Sequence, residues 1–270
     1  FKQKTAYEIP LRLVGSEMCI RDRIHTALNS MHMITQNQSM NAQNLSNLNV
    51  PGYRRDLGIE FETAYLETQE GIDAKAFATR TNVGVFSSKP GHINPTGEDL
   101  DVAVQGAGFF FVQSKDATGL SRRGDFNVNA SGFLVNGANE IVLSDGLEPI
   151  TIPPYKSISV SEDGTIVVEP LGAEPGTTQN VGIIGTTLAS GEEIFKDKDG
   201  LLKTINGGLP EPDQQVVLMQ KHLEGSNINA VEEMIVSLDQ QRQFELNVKL
   251  IKIAKDIDEA ASNLMRMPNS

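Results

Sequence analysis

Between Leu100 and Glu169 the chain sets down short β-type runs with no helical crossover between them: LDVAV (100–104), GFFFVQ (108–113), DFNVN (125–129), GFLVN (132–136), EIVL (140–143), SISV (157–160) and TIVVE (165–169). Turn chemistry separates them at Gln105-Gly106, Asn129-Ala130-Ser131-Gly132, Asn136-Gly137, Asp145-Gly146 and Asp163-Gly164. Parallel strands need long crossovers, so close spacing leaves an antiparallel sandwich or barrel-like domain. VGIIGTTLA (181–189) and EIFKDKDGLLKT (193–204) extend the strand pattern, and NGGLPEPDQ (206–214) reads as an exit linker.

The two ends have a different period. Ile24, Leu28, Met31, Thr35, Gln38, Ala42 and Leu45 step by four and three, which is a heptad seam with polar members. No Asp, Glu, Lys or Arg occurs from His25 to Tyr53, and Asn and Gln crowd the segment instead. Pro51 stops this helix: it lacks an N–H and pushes Val50 out of the helical region, after which Gly52 permits a turn. At the other end, Asn229 with Glu232 three residues on resembles a capping box. Met234, Leu238, Gln241, Phe244, Val248, Ile251, Ala254, Ile257, Ala261 and Leu264 then recur every three or four residues. A connector over 53–81 shows helical tendency around Phe61–Leu66.

The expected fold is therefore α+β, an antiparallel β-rich central domain inserted between N- and C-terminal coiled-coil-type α-helices. The expected boundaries are 23–49 for the first helix, 50–81 for the connector, 82–215 for the β domain and 216–270 for the second helix with its lead-in. Residues 1–22 stand apart, since they carry no helical or strand period. LVGSEMCIRD resembles the translation of a transposase-type sequencing-library adapter, so this stretch is expected to be an artefact or a poorly ordered tail. On that reading the native chain begins near Arg23 and holds no cysteine, because Cys19 is the only one. Isolated amphipathic helices of this length are marginal in water, so both ends are expected to fold on assembly. Buried amides between subunits suit this, since they cost far less than buried charges once hydrogen-bonded.

Candidate chemistry is sparse. A net charge of −12 argues against nucleic acid and anionic membranes as partners. Gln105-Gly-Ala-Gly108 lacks the third glycine of a dinucleotide fingerprint and reads as a turn or bulge. Asp197-Lys198-Asp199-Gly200 lacks the closing Glu of a calcium loop and reads as a hairpin turn. His25, His32, His92 and His222 show no metal or catalytic spacing. Tyr53-Arg54-Arg55 stays open between a solvated loop and a contact with an acidic neighbouring subunit. No cofactor, metal, catalytic residue or small-molecule substrate is expected. A secreted β-rich binding module with helical arms is the alternative from a different class.

Read together, IHTALNSM (24–31), NAQNLSNLNVPGYRR (41–55), GEDLDVAVQGAGFFFVQ (97–113), RRGDFNVNASGFLVNGANEIVL (122–143) and LEGSNINAVEEMIVSLDQQRQFELNVKLIKIAKDID (223–258) resemble the axial proteins of the bacterial flagellum, the rod and hook subunits. The compact β domain, Gln243-Phe244-Glu245 and IFKDKDGLL (194–202) point to the proximal side of the rod, the distal side being the alternative. The resemblance implies a structural, non-enzymatic subunit in the periplasm, exported by the flagellar type III apparatus without a cleaved signal peptide. Its implied partners are other flagellar rod subunits, proximal and distal rod proteins among them, and the export apparatus. The residues expected at subunit contacts are Leu28, Met31 and Leu45 on the first seam and Asn44, Asn47, Asn49, Pro51, Gly52 and Tyr53 at its stop. Ser226, Asn227, Asn229 and Glu232 are expected before and in the second helix, and Leu238, Phe244, Val248 and Ile251 along it.

Overall fold

The structure, a computed structural model, describes residues 8–58, 61–66, 74–79, 84–115, 117–174, 176–197, 199–205 and 208–266; over 8–26, 61–66, 74–79, 261 and 264–266 it describes the backbone alone. In chain order α1 (Glu8–Ser46) is followed by β1 (Phe61–Leu66), β2 (Ala74–Thr79), β3 (Ile93–Pro95), β4 (Val102–Gln105), β5 (Phe109–Gln113) and β6 (Thr118–Ser121). Next come β7 (Phe126–Val128), β8 (Leu134–Asn136), β9 (Ile141–Val142), β10 (Tyr155–Val160), β11 (Thr165–Pro170) and β12 (Gln179–Ile183). The chain closes with β13 (Thr186–Thr187), β14 (Ile194–Lys196), β15 (Leu202–Thr204), β16 (Val217–Gln220), β17 (His222–Glu224) and α2 (Ala230–Arg266).

The chain divides into two compact units: Gln43–Leu57 with Asn82–Ala230, and the remainder, which holds most of α1, β1, β2 and α2. In the first, an antiparallel sheet runs in the order β14-β15-β6-β5-β9-β8-β7, with β13 also paired to β5. A second sheet is β10-β11-β12, and two ribbons pair β16 with β4 and β17 with β3. The strand β5 separates two cores. Phe110 and Val112 enter the larger one, where Phe110 meets Phe126 edge to face at 5.1 Å, while Phe111 points the other way among Leu120, Leu143 and Leu202. On β10 and β11 the alternation is clean, with Ile158, Val160, Ile166 and Val168 inside. Gly164 makes the tight turn between these strands at φ 87°, and Asp163 accepts hydrogen bonds from the Thr165 amide and hydroxyl.

The structure departs from the sequence expectations in several places. Phe61–Leu66 is a strand, not a helical stretch, and pairs with β2 in continuous register from Phe61↔Thr79 to Leu66↔Ala74. Phe61, Thr63 and Tyr65 recur with period two, a signal that outweighs weak helical propensity in so short a run. The helix α1 begins at Glu8, upstream of the boundary expected near Arg23. A formed helix extends cheaply through Leu, Glu, Met and Arg, and Pro10 falls in the first turn, where a missing N–H costs nothing. Residues 217–224, expected as a lead-in to the second helix, form β16 and β17. The stretch read as an exit linker is pinned along β13: Asp213 donates its amide to the Thr186 carbonyl at 3.1 Å and accepts the Leu188 amide on its carboxylate at 3.0 Å. The left-handed residues after Asn136-Gly137 and Asp145-Gly146 are Asn139 and Leu147, one or two positions later than the glycines.

In the helical unit, Asn41 donates to the backbone carbonyl and carboxylate of Glu233, and Asn247 donates to the Ser30 hydroxyl, so α2 runs antiparallel beside α1. Among the described side chains of α1, Ala27, Met33, Ile34, Asn41 and Asn44 are buried, whereas Leu28, Thr35 and Ala42 of the expected seam lie exposed. The buried stripe is thus turned by one residue. The heptad spacing puts Ala42 on the seam, but the buried neighbour is Asn41, whose amide is compatible with the interior because it finds Glu233.

Candidate functional site

The site at the end of α1 starts with the helix stop itself. Asn47 donates its amide back to Asn44 at 3.0 Å, and Val50 donates to Asn47 at 3.1 Å, which tightens the last turns. Pro51 then ends the ladder. Gly52 adopts φ 66° and donates its amide to the Glu224 carbonyl at 2.8 Å. A Cβ at this position would stand 2.3 Å from the Arg122 carbonyl oxygen. Glycine is therefore required twice, by the left-handed backbone and by the close approach of the main chain just after β6.

The strap that follows is held residue by residue. Asn44 brackets Asp56, accepting its amide at 2.9 Å and donating to its carbonyl at 3.0 Å. Asn227 does the same work from the other end of the chain: its side-chain carbonyl accepts the Arg55 amide at 2.7 Å, and its amide donates to the Lys89 carbonyl at 2.8 Å. The Asn227 main-chain amide donates to the Tyr53 carbonyl at 3.2 Å. The Tyr53 hydroxyl donates to Asp56 at 2.9 Å, and Lys196 sits 2.9 Å from the same carboxylate with its ammonium 3.7 Å from the Tyr53 ring centre. Burial, with Asp56 beside it, pushes the Tyr53 phenol well above its ordinary value, so it acts as a neutral hydrogen-bond donor. Burial lowers the Lys196 pKa, and its contact with Asp56 opposes that shift. A cleft of about 360 Å³ opens beside the strap, lined by Asn47, Pro51, Tyr53, Arg123, Lys196 and Leu202 among others.

Of the residues expected at subunit contacts, Asn44, Gly52, Tyr53 and Asn227 therefore come together and make hydrogen bonds within the chain, with Pro51 and Asn47 along the cleft. Asn49 and Asn229 are exposed, the latter immediately before the first residue of α2, and Ser226 accepts the Ile228 amide at 3.3 Å. Glu232 lies exposed in the first turn of α2. Arg54 is buried, so it is neither a solvated loop residue nor the docking point for another chain's acid: its acidic partner is Glu224 of this chain, at 3.0 Å. Lys196, Arg122 and Glu224 are not legible as members of this site, because sequence separations above a hundred residues join Lys196 to Asp56 and Glu224 to Arg54 and Arg122; Asp56, three residues from Tyr53, is the member that a local reading could have found.

The helical unit offers a different surface. Along α2, Glu233 is buried and Val236, Gln240, Phe244, Asn247, Ile251 and Ala254 are half-buried, again a spacing of three and four. The other side of the helix is aliphatic and open: Ile235 is 55% exposed, Leu238 57%, Leu246 58%, Leu250 58% and Ile253 55%. Phe244 and Ile251 of the expected contacts thus face inward, whereas Leu238 and Val248 face out. On α1, Leu28 is exposed and Met31 half-buried, and Leu45 is exposed at the helix end. Among the described residues no three His, Cys, Asp or Glu side chains converge to hold a metal ion, and no helix is long and apolar enough to cross a membrane. Lys203 bridges Asp197 and Asp199 at 2.6 and 2.7 Å, which makes that segment an ion-paired hairpin.

Comparison with known proteins draws these features together. Residues 103–168 match the model of the flagellar hook protein FlgE/F/G D1 domain, and residues 219–264 match that of the flagellar basal body rod FlgEFG protein C-terminal region. The flagellar basal-body rod protein FlgF of Salmonella typhimurium is 30% identical over 255 residues, covering 90% of this chain and 98% of the relative. FlgF of Caulobacter vibrioides is 31% identical over 224 residues, covering 82% of this chain and 88% of the relative. The rod protein FlgG of Bacillus subtilis is 28% identical over 265 residues, covering 90% and 98%. The chain belongs to the family of flagellar basal-body rod proteins, as a structural rod subunit of the proximal, FlgF-like kind.

Proposed function

We propose that this rod subunit assembles through the outer faces of its two helices, with the strap and its hydrogen-bonded brackets presenting those helices rather than forming the contacts. The observation that carries this reading is the exposed aliphatic face of α2, from Ile235 through Leu238, Leu246 and Leu250 to Ile253. Soluble monomers seldom leave so many large aliphatic side chains of one helix in water, so their occupant is another protein surface. The partners are neighbouring rod subunits, proximal and distal rod proteins, meeting Leu28, Leu45, Leu238 and Val248 from outside. The subunit acts in the periplasm after export by the flagellar apparatus, and its role is mechanical, not enzymatic.

A decisive test places Leu238→Asp with Leu246→Asp in a flagellated strain lacking its own copy of the gene. The purified variant should melt like the parent, because both side chains are exposed. It should fail to restore swimming, and imaged basal bodies should lack complete rods. Normal motility with intact rods would refute assembly through this face.

A further inference from the structure

Glu224 ends β17, just ahead of α2, and its side chain is 2% exposed. One carboxylate oxygen accepts from Arg54 at 3.0 Å and from the Gly91 amide at 2.8 Å; the other accepts from Arg122 at 2.8 Å through Nε and 2.6 Å through Nη2. Its main-chain carbonyl takes the Gly52 amide. The remaining guanidinium hydrogens go to carbonyls: Arg54 donates to Lys89, and Arg122 donates to Gly108 at 2.6 Å and Gly106 at 2.8 Å. Arg122 also lies over the Phe109 ring. Burial pushes Arg54 down to about 10, with Glu224 opposing the shift and the neighbouring Arg122 adding to it. The cluster thus holds two buried guanidinium groups on one buried carboxylate.

We infer that Glu224 is the positioning residue that fixes the strap leaving α1 and the approach to α2 at a single point of the β domain. The geometry makes the three side chains unequal. Arg54 comes from the strap, Arg122 from the segment after β6, and only Glu224 touches both. Loss of Arg54 leaves a balanced Arg122–Glu224 pair and frees the strap alone. Loss of the Glu224 charge strands two guanidinium groups that repel each other, so the strap and the β17 end loosen together. Glutamine at 224 keeps the shape and an acceptor but not the charge, which separates the ionic role from simple packing. The joint is a property of the isolated chain, so its test is independent of whether α2 docks on neighbouring subunits.

Hydrogen exchange on the full-length purified chain, followed by peptides, tests it. In Glu224→Gln, protection over 47–57 and over 222–230 should each fall by about tenfold or more, while 102–112 keeps parental protection. In Arg54→Met only 47–57 should loosen. Adding Arg54→Met to Glu224→Gln removes one stranded charge, so the double variant should regain protection over 222–230 instead of losing more. Parental exchange in either segment of Glu224→Gln, or losses that simply add in the double variant, would overturn the inference. If Glu224→Gln does not fold, the other two variants decide: strap-only loosening in Arg54→Met with a folded double variant sustains it, and loosening of 222–230 in Arg54→Met or an unfolded double variant refutes it.

Discussion

The β domain and α2 handle their apolar residues in opposite ways. Phe110, Phe111, Val112, Leu120 and Ile184 are wholly buried within one chain, whereas α2 turns Ile235, Leu238, Leu246, Leu250 and Ile253 to solvent. The same chemistry, large aliphatic and aromatic side chains at regular spacing, completes a core in one region and leaves a face open in the other. The difference lies in partners. Strand β5 is bordered by β6, β9 and β13 and buried on both sides, while among the described residues α2 meets α1 along one side, through Asn41–Glu233 and Ser30–Asn247. A helix has a wider perimeter than one neighbour can cover, so aliphatic residues opposite the buried side stay open to a further partner.

The sharpest way to break this contrast is a pair of matched truncations. Phe110→Ala should cost about 3–5 kcal/mol and lower the melting temperature strongly, since it empties a fully buried site. Leu246→Ala should change monomer stability by no more than about 0.5 kcal/mol, as expected for an exposed position. Equal losses on thermal melting would mean that α2 is already covered in the monomer. Next in size is the glycine at the helix stop. Gly52→Ala meets both left-handed strain, about 1–2 kcal/mol, and the Arg122 carbonyl. Gly106→Ala has a similar φ of 82° but open space, so it should cost the strain alone. Denaturant midpoints of the two variants separate these terms, and identical values would dismiss the close approach.

Asn44→Ala removes both hydrogen bonds to Asp56 from a buried site and should cost about 1–3 kcal/mol. Exchange protection at Asp56 reports the loss directly. The smallest expected effect is electrostatic and lies within the β domain. Burial raises the Glu140 pKa, while its hydrogen bond from Asn136 opposes the shift. The folded state therefore keeps this proton to higher pH than the unfolded state, and stability falls as pH rises through the folded value. Glu140→Gln, which keeps an acceptor for Asn136, should be slightly more stable than the parent at neutral pH. That advantage should vanish below about pH 4, where the group is protonated in both states. Urea unfolding at both pH values checks it, and an advantage that persists in acid would rule out the linkage.

Much of the site was readable from local pattern, and the unread part has a common cause. Pro51-Gly52 announced a helix stop, and Asn229 with Glu232 announced a helix start, because capping and breaking act over a few residues. The heptad reading of α1 went astray by one residue at Asn41, since polarity alone cannot tell a solvated amide from one bonded to Glu233. At Phe61–Leu66 weak helical propensity and a period-two alternation compete within six residues, and pairing with Ala74–Thr79 decides for the strand. Tyr53-Arg54-Arg55 was left open for the same reason: the carboxylate that answers Arg54 is supplied by β17.

The sequence by itself determined the strand character of most of 100–169, the turns at Gly106, Gly132 and Gly164, and the two helical ends, all of which follow from backbone conformational preference and hydrophobic period. Only the tertiary structure decided which face of each helix is buried, that the amides of Asn44 and Asn227 close brackets inside the chain, and that Glu224 answers both arginines. Those outcomes rest on long-range pairing, where a buried polar group is tolerated only if a distant partner arrives with the right geometry.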